Sequence, residues 1–268
     1  MKIGVSYSQF EFYPQALALS QKLELPLIEP SQLSGCEIAL FYQENYLSLF
    51  LPNTKPLIKP LYIDFLHGKI NYRCRFGGGK NQALIRAVGL HKHKNLKIMD
   101  ATAGLGSDAF ILAFHGAEMR MIERNQIISA LLEDGLKRAK DFMHDSKLSI
   151  QLINDEAKAY LTQLKFNQCP DVIYLDPMFP KTEKNALNKI PMRLLAKIVG
   201  KDEDADELLE IALQRAKSRV VVKRPRIAPF LANKEPDLQI TGKSNRFDIY
   251  TRRLSSSGFV AATRCSHT

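Results

Sequence analysis

Residues 96–112 read LKIMDATAGLGSDAFIL, an apolar run that stops on Asp100, a turn carrying Gly104 and Gly106, and a helical pattern that starts near Ser107 with Asp108 in its first turn. Glycine at these two places lets the backbone turn tightly and come close to a ligand. A strand, a glycine turn and a helix in that order open an α/β unit, and the residues downstream repeat the theme. MRMIE (119–123) ends in Glu123, about 20 residues after the glycines, the spacing at which an acid meets ribose hydroxyls in nucleotide-binding sheets. LSIQLIN (148–154) leads into Asp155 and Glu156, and VIYLD (172–176) ends in Asp176. Between these runs lie amphipathic stretches such as NQIISALLEDGLKRAK (125–140) and DADELLEIALQRAK (204–217). The alternation predicts a parallel sheet covered by helices on both faces, continued by SRVVVKRP (218–225) and closed by RFDIYTRRL (246–254).

In such sheets ligands bind at the carboxyl ends of the strands. Successive strands deliver Asp100, Glu123, Asp155 and Asp176 to that edge, so the expected pocket is acidic. A dinucleotide fits it poorly: its pyrophosphate wants a third glycine and bare amides, whereas Ala109 stands at that position and carboxylates repel phosphate. Carboxylates suit a cofactor with a sulfonium, a free amino group and an unphosphorylated ribose, which describes S-adenosylmethionine.

The segment DPMFP (176–180) resembles the (D/N)PP(Y/F) signature of methyltransferases that act on exocyclic amino groups of bases, with Met178 in place of the second proline. Such an amine is a poor nucleophile because its lone pair is delocalised into the ring. The Asp176 carboxylate and the Pro177 carbonyl can accept hydrogen bonds from the two N–H groups and aim the lone pair at a methyl group, while Phe179 stacks on the base. Pro177 and Pro180 stiffen the loop.

Taken in order, RFGGGKNQAL, DATAGLGSDAFILA, MIERN, VIYLDPMFP, RVVVKRP and RFDIY make the chain from about residue 70 to 251 resemble the small-subunit ribosomal RNA methyltransferase J family. The resemblance implies a class I S-adenosylmethionine-dependent methyltransferase with a Rossmann-like sheet, forming N2-methylguanosine near the 3′ end of 16S rRNA without a metal. It places cofactor contacts on Ser107 and Asp108, Glu123 and Arg124, Glu156 and Ala157, and Asp176. Ser107 departs from the arginine expected there. An adenine-N6 or DNA amino-methyltransferase shares the loop chemistry, and a nucleic-acid-binding module on an inert methyltransferase scaffold is the alternative from another class.

The formal charge of +10 on 268 residues points to a polyanionic partner, which the resemblance implies is 16S rRNA or the small ribosomal subunit. KRPR (223–226) supplies candidate phosphate contacts in Lys223, Arg224 and Arg226. RCRFGGGK (73–80) reads either as a loop lying against a ligand or as a hinge, and HKHK (91–94) as a solvated loop. The acidic run KDEDADELLE (201–210) reads as the start of a helix, and the aromatics of the first 50 residues as core. Short apolar pieces before residue 70, with one helical segment at 14–24, predict a small α+β unit. The expected organisation is a unit over 1–72, the methyltransferase domain over 73–254 and a loose tail over 255–268. Cys36, Cys74, Cys169 and Cys265 have no zinc-site spacing and read as reduced thiols. With no membrane-length apolar run and no signal-like start, the chain is expected in the cytoplasm, with no membrane partner.

Overall fold

The computed structural model describes residues 2–44, 46–53, 59–142, 148–177, 204–242 and 244–252. Its main sheet is built from β4 (Lys97–Asp100), β5 (Glu118–Ile122), β6 (Ser149–Ile153), β7 (Val172–Leu175), β8 (Arg219–Pro225), β9 (Leu238–Thr241) and β10 (Asn245–Thr251). The spatial order is β6-β5-β4-β7-β8-β10-β9. All pairings from β6 to β8 are parallel, and β10 runs antiparallel to both β8 and β9. The chain fills the sheet outward from β4 to β6, then returns to the other side of β4 with β7. The connections therefore diverge between β4 and β7, and a crevice opens at their carboxyl ends. Asp100 and Asp176 flank that crevice.

Period-two alternation sorts the strand side chains into two buried layers. Ile98, Val172, Tyr174 and Val221 belong to the layer packed by α3 (Ala83–Val88), α4 (Ser107–Phe114) and α5 (Gln126–Phe142). Met99, Ile173, Leu175, Val220 and Val222 belong to the layer packed by α6 (Ala157–Gln163) and α7 (Ala205–Arg215). The edge strand β9 has no clear signal in the sequence because it is only four residues long, lies on the rim and is mostly exposed.

The N-terminal segment forms a second sheet from β1 (Ile3–Tyr7), β2 (Ile38–Gln43) and β3 (Tyr46–Phe50), with β1 parallel and β3 antiparallel to β2. The helix α1 (Tyr13–Leu23) covers it, close to the helical segment anticipated at 14–24. Its core continues into that of the main sheet. Phe65 stacks on Phe110 of α4 at 4.4 Å, and Ile63 lies so close to Gly135 of α5 that a Cβ there would meet Ile63 Cγ2 at 2.7 Å. The first four residues of RCRFGGGK are helical rather than loop, being the end of α2 (Gly68–Phe76), and Arg73 there lines the crevice. Cys36, Cys74 and Cys169 are buried free thiols, and Cys265 and the 255–268 tail lie outside the described residues. Among the described residues no helix is long and apolar enough to cross a membrane.

On β10 the Asp248 side chain is fully buried and binds Arg246 Nε at 2.9 Å, while Arg246 also donates to the carbonyls of Arg226 and Ala228. Removing Asp248 strands a buried guanidinium. Asp248→Ala should destabilise the protein by about 3–5 kcal/mol, read as a shifted midpoint in urea unfolding; a shift under about 1 kcal/mol would mean that the carbonyls alone satisfy Arg246.

Candidate active site

The crevice is a cavity of about 350 Å³. Asp100, Gly104, Gly106, Ser107, Asp108, Glu123, Arg124, Asp155, Glu156, Ala157, Asp176 and Pro177 all line it, so the residues anticipated from the strand ends converge on one place. Phe179, with Met178 and Pro180, lies outside the described residues.

The glycine turn is held from two sides. Gly104 and Gly106 adopt φ of +53° and +70°, and a Cβ on Gly106 would meet Leu132 Cδ2 and Met121 Cε at 2.7 Å. A larger residue is therefore disfavoured by conformation at both positions and by space at Gly106. The buried Glu123 carboxylate accepts the Gly104 N–H at 2.9 Å through Oε2 and the Asn125 N–H at 2.8 Å through Oε1, so the acid that ends β5 also braces the turn after β4. Asn154 Nδ2 donates to the Glu123 carbonyl at 2.7 Å and fastens the ends of β5 and β6 together.

The cavity floor is an ion cluster. Lys223 Nζ donates to Asp108 Oδ2 at 2.7 Å and to Asp176 Oδ2 at 2.8 Å. Arg73 donates to Asp108 Oδ1 at 2.9 Å, and the buried Tyr174 hydroxyl to Asp108 Oδ2 at 2.8 Å. Burial opposes the charge on Asp108, but Lys223 and Arg73 outweigh it and hold its carboxyl below the ordinary range. Burial likewise opposes the Lys223 ammonium, and Asp108 and Asp176 overcome that and raise it above its usual value. Burial and the Asp108 carboxylate push the Tyr174 hydroxyl well up, which keeps it a hydrogen-bond donor. Asp100, only 2% exposed, accepts the Thr102 N–H at 3.0 Å, while the Thr102 hydroxyl accepts the Asp176 N–H at 2.6 Å and bridges the crevice. Burial first, then the Asp176 and Asp108 carboxylates, raise Asp100 to about 7 against the opposing Thr102 bond. Of the three carboxyls described here, Asp100 is therefore the one whose ionisation its surroundings oppose.

At the other end, Arg124 pairs with Asp204 at 3.4 Å and Glu156 at 3.9 Å, and Lys158 with Asp204 at 3.5 Å. Asp204, Ala205 and Leu208 add the start of α7 to the lining. The acidic run was read only as a helix start, and the pairing of Asp204 across to β5 had no signal in it. Arg73 is anticipated only as part of RCRFGGGK lying against a ligand, and Tyr174 not at all, although a tyrosine within an apolar strand, two residues before Asp176 and so on its side of the strand, is a readable sign.

Two expected phosphate contacts are corrected. KRPR is not a surface turn after the strand, because β8 continues through Pro225 and its alternation still governs the side chains. Lys223 points into the ion cluster, and Arg224, 6% exposed, points to the other face and donates to the Pro229 carbonyl at 3.1 Å. Arg226 lies beyond the strand and is exposed.

The donor set fits S-adenosylmethionine. Carboxylates surround the cavity, Ala101, Ala103 and Ile122 give it apolar walls, and the missing Cβ at Gly104 leaves the turn open to a close backbone approach. Sheet order and pocket together define a class I S-adenosylmethionine-dependent methyltransferase. The model of the SAM-dependent methyltransferase family matches residues 19–252. Ribosomal RNA small subunit methyltransferase J from Cellvibrio japonicus is 45% identical, covering 91% of this chain and 95% of its own, and that from Coxiella burnetii is 43% identical, covering 95% and 98%. A crystal structure of a SAM-dependent methyltransferase from Neisseria gonorrhoeae, 32% identical, superposes with a TM-score of 0.67 over 92% of this chain and 95% of its own. The chain belongs to the ribosomal RNA small subunit methyltransferase J family of SAM-dependent methyltransferases. The likeness reaches into the first 70 residues, which matched only loosely by motif.

Glu123→Ala removes both the expected ribose acceptor and the brace on Gly104. Cofactor affinity should fall by about 1.5–3 kcal/mol, as for loss of a charge-assisted hydrogen bond. Titration calorimetry with unchanged affinity would take Glu123 out of the site.

Proposed function

We propose that this chain, working in the cytoplasm, transfers a methyl group from S-adenosylmethionine to the exocyclic N2 of a guanine in 16S rRNA, as free RNA or within the small ribosomal subunit. The observation that carries this reading is that the Asp176 carboxylate, the group suited to hold an amine, and the Gly104–Gly106 turn line one cavity. The names of the J-family relatives and the charge of +10 support ribosomal RNA as substrate. Bound S-adenosylmethionine supplies an electrophilic methyl group on a positively charged sulfur. The residues proposed to hold it are Asp100, Gly104, Gly106, Ser107, Asp108, Glu123, Arg124, Asp155, Glu156, Ala157 and Asp176. Asp108 contributes through the ion cluster, since Arg73, Tyr174 and Lys223 already engage both its oxygens.

In this mechanism Asp176 and the Pro177 carbonyl hold the two amine N–H groups, and Phe179 stacks on the base. Lys223 fixes Asp176 Oδ2, so the carboxylate meets the amine in a set orientation rather than sampling rotamers. The nitrogen becomes cationic as it attacks, and the carboxylate stabilises that charge. The surplus proton can leave after attack, so Asp176 needs to position the amine rather than deprotonate it beforehand.

Asp176→Asn keeps the shape and one acceptor oxygen but removes the charge. Turnover should fall by roughly 100-fold or more while cofactor affinity changes far less, measured by methyl transfer to small-subunit RNA with digestion to nucleosides. Full activity would reduce DPMFP to a braced turn. N6-methyladenosine as the product would keep the chemistry and overturn the guanine assignment.

The raised Asp100 carries a pH dependence. A cofactor of net positive charge favours the ionised carboxyl, so binding releases a proton and affinity rises with pH through about 7. One unit below that value the affinity should be about tenfold weaker than on the alkaline plateau, and Asp100→Asn should flatten the profile. In the free protein the sign is opposite: neutral Asp100 contributes stability that is fully present below the ordinary aspartate range and is lost as pH rises through about 7. A flat wild-type binding profile would show that Asp100 keeps its proton in the complex.

A further inference from the structure

Among the described residues, the helix α2 carries a face that the fold does not use. Cys74 faces the core, and Arg73 reaches into the cavity to Asp108. On the outer side Tyr72 and Phe76, four residues apart, are 62% and 70% exposed, with ring centroids 5.7 Å apart. Two large rings left in water on adjacent turns forgo the burial that rings of this size usually obtain. The charges around them are Lys69, Arg73, Arg75 and Lys80, and α2 contains no acidic residue. Arg75 is steadied by Asn71, whose Oδ1 accepts its Nε–H at 2.9 Å.

Exposed rings with cations and no acids make a surface on which bases stack while phosphates meet the charges. A protein partner could also use the rings, but the exposed cations Lys69, Arg75 and Lys80 beside them, with no acid in the helix itself, favour a polyanion. Arg73 makes the face continuous with the cavity, so a strand whose guanine enters the cavity can run its neighbouring nucleotides across α2. We infer that the outer face of α2 docks the single-stranded RNA flanking the target guanine, with Tyr72 and Phe76 stacking on bases and Lys69, Arg75 and Lys80 beside phosphates. This inference rests on the RNA reading above.

Two double variants test it, Tyr72→Ala/Phe76→Ala and Lys69→Gln/Arg75→Gln, assayed for methyl transfer to a 16S rRNA transcript and for binding of a labelled single-stranded oligoribonucleotide spanning the modified region. The ring variant should raise the RNA KM by about tenfold or more. The charge variant should lower the slope of log affinity against log salt by about 1.4, the release expected for two phosphate contacts on a single strand. Cofactor affinity and melting temperature should stay at wild-type values, which separates lost docking from lost folding. Wild-type RNA KM and salt slope in both variants would overturn the inference and leave the methyltransferase reading intact. A defect confined to assembled subunits, with naked RNA unaffected, would also overturn it by making the face a ribosomal-protein contact. Conversely, a wild-type protein that transfers no methyl to RNA yet binds the oligoribonucleotide through these side chains would sink the catalytic reading and support the docking face.

Discussion

Lys223 sits between two carboxylates that would otherwise repel each other. Asp108 comes from the first turn of α4 and Asp176 from the end of β7, on opposite sides of the switch in strand order, and the Lys223 ammonium reaches both from β8. Taking these charges partly out of water carries a desolvation penalty, and only close pairing with additional hydrogen bonds offsets it. Arg73 and the Tyr174 hydroxyl supply those bonds to Asp108. The position of the acid proposed to hold the substrate amine thus depends on a cation contributed by the neighbouring strand.

The same cluster explains why the cavity suits a cationic ligand. With Lys223 and Arg73 committed to Asp108 and Asp176, the charge left over falls on Asp100, which burial keeps partly neutral near physiological pH. A positive ligand removes that mismatch. The glycine turn facing it is braced by Glu123 from the neighbouring strand and capped by the start of α4, so little ordering is left for the moment of binding.

The N-terminal segment bears on this site through packing. Phe65 against Phe110 and Ile63 against Gly135 join the small sheet to α4 and α5, the helices that begin next to the glycine turn and Glu123. The chain between the two sheets forms α2, which turns Arg73 toward Asp108 and leaves Tyr72 and Phe76 outward. One helix thereby joins the ion cluster to an exposed aromatic and basic surface.

Much of this was legible along the chain. Period-two apolar runs ending in Asp100, Glu123 and Asp176, with glycines at a turn of positive φ, depend only on local pattern, and local pattern is what backbone geometry imposes on sequence. The sheet, its acidic edge and the cofactor class follow from it. The fates of Lys223, Arg224, Tyr174 and Asp204 were set elsewhere. Lys223 meets Asp108 across 115 positions and Asp204 meets Arg124 across 80, pairings created by strand order rather than by spacing. A basic KRPR looks the same in sequence whether it faces solvent or a buried acid. Only the tertiary structure brings the acid to the lysine, because the partner that decides a charged side chain's direction lies on a strand or helix remote in sequence.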